Sequence, residues 1–370
     1  MSTKPPAIIG YFSVIPDPRR GNHNTKLHSL TDIIVIAVLT VISGADTWNE
    51  IEEFGEAKAE WLKTFCTLQN GIPSHDTFAR VFSILDSEAF ERCFIAWAQH
   101  AHIVTKGSVI AIDGKSVRRA HGKDTRPLHL VNAFATKNGV ALGQRKVDGK
   151  SNEITAIPEL LEMLMLEGCI VATDAMGTQG WIAKKIKEYK ADYVLAVKGN
   201  QERLHEDIRM IFADKDSISD RAETSERGYG RSELRSCRAT DDLSLIRDLH
   251  RWEGLRSIAM TSDTRTIGNV TTAATRYVIS SLPADAPKIL SAVRAHWRVE
   301  NNLHWSLDVV FREDASRIRM GHAQANFALL RKFALNMLKK ETSVKSGLKT
   351  KRFRAGLSEE YLLKVIHGEG

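Results

Sequence analysis

Two acids in this sequence stand where chemistry could be done: Asp113 closes the apolar run VIAID, and Asp174 closes IVATD. In each case a β-rich run delivers a carboxylate to a turn. A carboxylate at a buried strand end costs desolvation unless it is paired or bound to a cation, and two such acids on neighbouring strands repel. A divalent cation resolves that conflict. Magnesium is hard, takes oxygen ligands and keeps several waters, so a few carboxylates and a substrate phosphate suffice. Each acid alone also fits a turn-former or a helix cap. A third acid must come from elsewhere, and HWRVENNLHWSLDVVF offers candidates: His296, Glu300, His304 and Asp308 recur every four residues and share one helix face, flanked by Trp297 and Trp305. Glu300 and Asp308 both satisfy this spacing. Zinc is the competing reading, but His296 and His304 lie two turns apart, roughly 12 Å along the axis, too far to share one ion. A single histidine beside Glu300 can still orient a phosphate or a water.

The elements that position these residues follow from pattern. Residues 1 to about 25, with Pro5, Pro6, Pro16 and Pro18, suggest an extended arm. From Leu30 to about His100 the periodicity is helical, and the thirteen residues IIVIAVLTVISGA between Asp32 and Asp46 are too few to span a bilayer, which needs about 20, so they form a buried core helix. Ser74 caps a helix carrying Phe78, Val81, Phe82 and Leu85, either a DNA-reading helix or a core helix of a small bundle. After residue 105 the texture becomes β-rich: Ser108 to Ile112, then two strands flanking a Lys137-Asn138-Gly139 turn. A helix from Pro158 to Gly168 is expected next, with the proline in its first turn, followed by a strand over Cys169 to Thr173, a helix over Thr178 to Tyr189 and a strand over Tyr193 to Val197. This β-β-β-α-β-α-β order, with right-handed crossovers, suits a ribonuclease H-like sheet whose first strand pairs with its fourth in parallel, bringing Asp113 and Asp174 to one edge. Residues 200 to about 285 interrupt as a charged, β-containing insertion, and a long helix from Pro287 to Phe311 carries the third acid. The expected divisions are a helical domain over 1–105, an α/β domain over 106–340 and a basic tail over 341–370.

The chain has 370 residues, 43% of them hydrophobic, enough for a sizeable core. Its net charge is only +7, yet the stretch from Arg317 to the C-terminus holds twelve basic and four acidic residues, leaving the body almost neutral. A basic end on a neutral body suits a polyanion such as DNA. The four cysteines, Cys66, Cys93, Cys169 and Cys237, have no zinc or redox spacing, which fits a reducing cytoplasm, and no export signal is evident.

Beyond single motifs, the chain resembles the H-repeat-associated proteins, transposases of ISAs-type insertion sequences within the DDE superfamily. The likeness runs through PDPR near residue 16, NGIPSHDTF from Asn70, AIDGKS, LHLVNAFA, KSNEITAIPELL, DAMG, DYVLAVKGNQ and HWRVENNLHWSLDVVFRED. It implies an α/β fold: a ribonuclease H-like mixed sheet with a helical N-terminal domain and a β-rich insertion before the last catalytic helix. It also implies Asp113, Asp174 and Glu300 as a DDE triad holding two Mg2+ ions, for which Mn2+ can substitute. The implied reaction is metal-dependent cleavage at transposon ends, then attack of the freed 3′-hydroxyl on target DNA. The implied partner is double-stranded DNA, bound by a homodimer in a cytoplasmic, nucleoid-associated setting. Lys115, Arg118, Arg119 and Lys198 become candidate phosphate contacts. Some relatives carry a Tyr, Arg and Lys in register with the last acid; here those positions hold Val293, His296 and Leu307, with His296 or Arg298 as substitutes. A nuclease without strand transfer and a non-catalytic DNA-binding descendant remain as alternatives.

Overall fold

The computed structural model describes residues 6–21, 26–101, 106–119, 127–147, 152–214, 217–228 and 230–368. Its helices are α1 (Ile8–Phe12), α2 (Leu30–Ser43), α3 (Trp48–Ala57), α4 (Ala59–Leu62), α5 (His75–Ile84), α6 (Ser87–Ala101), α7 (Glu153–Glu162), α8 (Gly180–Glu188), α9 (Glu202–Ala213), α10 (Ala286–Val299), α11 (Ala323–Lys340), α12 (Leu348–Leu357) and α13 (Glu359–His367). The strands are β1 (Val109–Val117), β2 (Leu128–Ala135), β3 (Val140–Lys146), β4 (Ile170–Thr173), β5 (Asp192–Val197), β6 (Asp220–Gly228), β7 (Arg231–Thr240), β8 (Ser257–Ile267) and β9 (Val270–Ser280). Together they make a mixed α/β fold around one large sheet.

That sheet runs in the order β3-β2-β1-β4-β5-β9-β8-β7-β6. β1 lies antiparallel to β2 but parallel to β4, and β4 parallel to β5, as the expected crossovers require. The insertion is not set apart from this core. β9 pairs antiparallel with β5, so β6 to β9 extend the same sheet. The pairing also corrects the extent of the first strand, which does not stop at Ile112. Its parallel pairing with β4 ends at Ile112↔Thr173, while its antiparallel pairing with β2 continues to Val117.

Three further expectations shift. Asn152 caps the helix before Pro158 by accepting from the Ile154 N–H, so α7 begins at Glu153 and the proline sits inside it. The N-terminal arm contains α1, whose Ile8 and Phe12 are buried, with the Phe12 ring against Phe90 and Phe333. Pro5 and residues 22–25 of that arm lie outside the described residues. The stretch read as a basic tail folds into α12 and α13, which pack on α2. Lys351 and Arg352 are buried there: Arg352 donates to the Val41 and Ala45 carbonyls beyond its stacking on Phe311, and Lys351 donates to the Leu338 carbonyl. Those two charges serve the fold rather than a polyanion.

α2 is buried from Ile33 to Ile42, and no single described helix is long and apolar enough to cross a membrane. Phe78, Val81, Phe82 and Leu85 are fully buried, which makes α5 a core helix on its apolar face, while Ser74 caps it as expected. One apolar cluster runs from α1 and α2 through the sheet to α11 and α13. Of these helices α6 and α11 pack on β3, α2 packs on α11, and α10 packs across β1, β4 and β5.

Candidate active site

The end of the β1–β4 parallel register places two carboxylates together. Asp113 follows Ile112, Asp174 follows Thr173, and those two residues are the last parallel partners. Asp113 still pairs with Asn132 on β2, so its backbone is held on one side and its side chain left at the sheet's opening. Asp174 is partly a turn-former: its Oδ1 accepts from the Met176 and Gly177 N–H groups at 3.0 and 3.3 Å. That leaves Oδ2 for another partner. Thr178 ties the same turn to β5 by donating to the Ala196 carbonyl at 2.5 Å.

Glu300 arrives from the far end of α10. The helix starts where Asp285 accepts from the Lys288 N–H, and it stays α-helical to Val299. It does not then continue to Phe311 as a regular α-helix. Glu300–His304 and Ser306–Val310 form π-helical turns, the first closed by the Trp305 N–H on the Glu300 carbonyl. Such widened turns are rare and concentrate at functional sites. Asp113, Asp174 and Glu300 line one cleft of about 240 Å³ with Lys198, His296 and Trp297. At its wall the Arg276 guanidinium lies 4.9 Å from the centre of the half-exposed Trp297 ring.

The electrostatics are unbalanced. Among the described residues no lysine or arginine forms an ion pair with Asp113, Asp174 or Glu300. Burial, then the negative charges of Glu300 and Asp174, push the Asp113 carboxyl up to about 7. His304 approaches Asp113 with Nδ1 3.6 Å from Oδ2, and burial followed by the Lys115 charge drives its imidazole down to about 4. His296 is also pushed down, chiefly by burial, and its Nδ1 is buried without a hydrogen bond. Carboxylates facing one another without a cation are the donor set a hard divalent ion takes.

The other candidates separate clearly. Asp308 lies away from the triad, accepting from Lys115 Nζ at 2.7 Å. Lys115, only 8% exposed, also meets Glu313 and Asp314 at 3.3 and 3.2 Å, so burial and three acids commit it to the protein rather than to a free phosphate. Arg118 is exposed and pairs loosely with Asp314 at 3.4 Å; Arg119 is exposed and its carbonyl accepts from Arg319. Lys198 is exposed at the cleft, whereas Arg298 is exposed on a neighbouring groove with Arg221 and Arg294.

Pattern reading misses two features. Glu153, the first residue of α7, approaches Gly114 so closely that a Cβ there would lie 2.2 Å from its carboxylate, and it adds to the negative field on Asp113. Its carboxylate also accepts from His129 Nε2 at 2.6 Å, and the Nδ1 of that ring lies 2.8 Å from Ser116 Oγ. An N-cap asparagine followed by an acid marks a helix start, and that is the only signal available. The second is the approach of His304 to Asp113, which depends on the π-helical turn and has no signature in spacing.

Residues 105–337 match the family model described as "Transposase DDE domain", and residues 9–98 match one described as "DDE_Tnp_1-associated". "Putative transposase YncI" of Escherichia coli O157:H7 is 43% identical over 97% of this chain and 94% of its own length. "H repeat-associated putative transposase YhhI" of Escherichia coli strain K12 is 41% identical, covering 98% of each. A solved piggyBac transposase synaptic complex with hairpin DNA overlaps 94% of this chain and 73% of that one at 12% identity and TM-score 0.44, too distant to bear on the site.

Proposed function

Because this chain belongs to the transposase DDE family, we propose that it is a DNA transposase that cleaves transposon ends and joins the freed 3′-hydroxyl to target DNA, using Asp113, Asp174 and Glu300. The observation that carries the reading is the cleft that these three acids line, with no lysine or arginine ion-paired to any of them among the described residues. The strand order β3-β2-β1-β4-β5, antiparallel over the first three and parallel onward, supports a ribonuclease H-like core.

Bound divalent cations, Mg2+ or Mn2+ in its place, would activate the attacking hydroxyl and stabilise the leaving 3′ oxygen. The chain's own part is positioning. β1 and β4 fix Asp113 and Asp174 on a paired sheet edge, and the two backbone N–H groups on Asp174 Oδ1 orient that carboxylate. Glu300 closes the set from the exposed lip of α10. Lys198 takes a phosphate at the cleft, His296 faces the same space, and Trp297 with Arg276 walls off one side. Arg118, Arg119 and Arg298 are exposed contacts for flanking duplex. Cleavage and joining use the same in-line geometry, so one site serves both. A homodimer on paired ends, working in the cytoplasm beside the nucleoid, completes the reading.

The test uses duplexes carrying the sequences that flank the gene, with Mg2+. Wild-type protein nicks them at the end and joins the 3′-hydroxyl to a second duplex; Asp113→Asn, Asp174→Asn and Glu300→Gln do neither. Hydrolysis without joining points to a nuclease. Binding with no cleavage by any form points to a non-catalytic DNA-binding protein.

A further inference from the structure

We propose that His304 is a nitrogen ligand of the cation held between Asp113 and Glu300, which makes that position favour ions that accept imidazole, such as Mn2+ or Co2+, relative to Mg2+. The inference rests on reading Asp113 and Glu300 as metal-binding acids. Geometry carries it: one ligand atom from each of Asp113, Glu300 and His304 lies within 4.8 Å of the others. The ring is 7% exposed, its Nδ1 stands 3.6 Å from Asp113 Oδ2, and its Nε2 is buried without a hydrogen-bond partner. A buried ring nitrogen that finds no partner in the protein costs free energy unless something else satisfies it.

An ion-paired structural histidine would meet its carboxylate at hydrogen-bond distance, and 3.6 Å is longer than that. Room for an ion between two donors is the better account of that gap. The π-helical turn Glu300–His304 opens and closes on two of the three donors, so the departure from α-helical winding coincides with the ligand set. His296 is two turns back and lies on the Asp174 side of the cleft, where Asp174 is the charge that acts on it most. Nitrogen ligands suit first-row transition ions, whereas Mg2+ prefers oxygen and water.

Pulsed electron paramagnetic resonance of Mn2+ bound to the full chain reads this directly. The wild type is expected to show 14N modulation from a coordinated imidazole, changing to a 15N pattern when histidine is isotopically labelled, a result that needs no variant. His304→Gln should lose the modulation and bind Mn2+ about tenfold more weakly, with a less than about threefold change for Mg2+, while His296→Gln keeps the modulation. Bound Mn2+ without nitrogen coupling, displaced by Asp113→Asn, overturns the role of His304 and leaves the acid site standing. Coupling retained in His304→Gln but lost in His296→Gln also overturns it. Failure of Mn2+ to bind, or binding indifferent to Asp113→Asn, overturns both this inference and the catalytic reading beneath it.

Discussion

Asp113 and Lys115 sit two residues apart on β1, and alternation points both to the same face of the sheet. Their surroundings are opposite. Lys115 meets Asp308, Glu313 and Asp314 within 3.3 Å, and behind them the fully buried Lys332 and Arg331 add further positive charge. Burial raises Glu313, but Lys332, Lys115 and Arg331 outweigh it and hold that carboxyl below its ordinary value. Among the described residues Asp113 has no lysine or arginine ion pair, the charges that act on it are those of Glu300, Asp174 and Glu153, and its carboxyl is pushed up to about 7. A compensated charge cluster holds structure. An uncompensated one is unfavourable for the protein alone and so marks a place where something else is expected to bind.

The largest effect should come from neutralising the uncompensated side. Asp113→Asn or Glu300→Gln is expected to cut DNA cleavage by at least about a thousandfold, the loss of roughly 4 kcal/mol of transition-state stabilisation. In metal-free buffer the same variants should melt no lower than the wild type, because each removes like-charge repulsion. Cleavage in a nicking assay, read beside a calorimetric melt, checks both halves. An Asp113→Asn protein that melts well below the wild type would place Asp113 among the structural charges and erase the contrast.

The compensated side should respond in the opposite sense. Lys115→Met leaves Asp308, Glu313 and Asp314 facing one another in a buried setting, with an expected loss of about 3–5 kcal/mol in urea unfolding. Adding Glu313→Gln to Lys115→Met should recover part of that loss, since the pair is coupled. An additive double variant would show that the cluster does not act as a unit.

What the sequence makes legible is where an element's type and its chemistry share one signal. Asp113 and Asp174 can be read because apolar runs end on them, and the pairing of β1 with β4 follows from the order of strands and helices. Ser74 and the buried run of α2 are equally local. Spacing alone does not choose between Glu300 and Asp308, because both lie on one stripe; the structure separates them through Lys115, which engages Asp308 from β1. Charge counting fails at the C-terminus for a related reason. Lys351 and Arg352 raise the net charge of that stretch, but they satisfy carbonyls at the ends of other helices, a tertiary role that composition does not carry. The π-helical turns have no sequence signature, and with them the placement of His304 stays hidden.

A smaller effect should follow from cutting the tie between the C-terminal helices and the helix that carries Glu300. Arg352 donates to the Val41 carbonyl at 2.9 Å and to the Val310 carbonyl at 2.5 Å, with Phe311 beneath it at 4.3 Å. Arg352→Ala orphans those carbonyls, at a cost of about 2 kcal/mol. Hydrogen exchange should quicken at the end of α2 and around residues 306–310 in that variant. If exchange changes at α2 alone, the C-terminal helices do not brace the carboxylate side.

The smallest effect at neutral pH, and one visible only in acid, concerns a second compensated acid. Glu341 accepts from Tyr361 Oη at 2.6 Å and from the Val344 N–H at 3.2 Å, and meets Lys351 Nζ at 3.2 Å, also accepting from Ser343. Burial raises its carboxyl, but these hydrogen bonds, with Ser343 foremost, and the Lys351 charge bring it down to about 2. The folded value lies below the unfolded one, so the stabilisation is complete above the ordinary carboxylate range near 4.5 and is lost as pH falls through that range toward 2. Asp113 has the reverse sign. Its folded value is raised from 3.8, so it favours folding in acid and opposes it as pH rises toward 7. Melting of the metal-free protein between pH 3 and pH 7 should therefore carry these two opposed contributions beside those of Asp17, held down to about 2, and Glu91, pushed up to about 8. Glu341→Gln should lessen the loss on the acid limb and cost about 1 kcal/mol at pH 7, and Asp113→Asn should lessen the decline on the neutral side, of which Glu91 carries the rest. Saturating Mn2+ should lessen that decline by the same share, because a bound cation compensates Asp113 as Lys115 compensates its own neighbours. If neither treatment lessens the decline, Asp113 does not carry the imbalance, and the difference between its surroundings and those of Lys115 would have to be sought in Glu153 or Asp174.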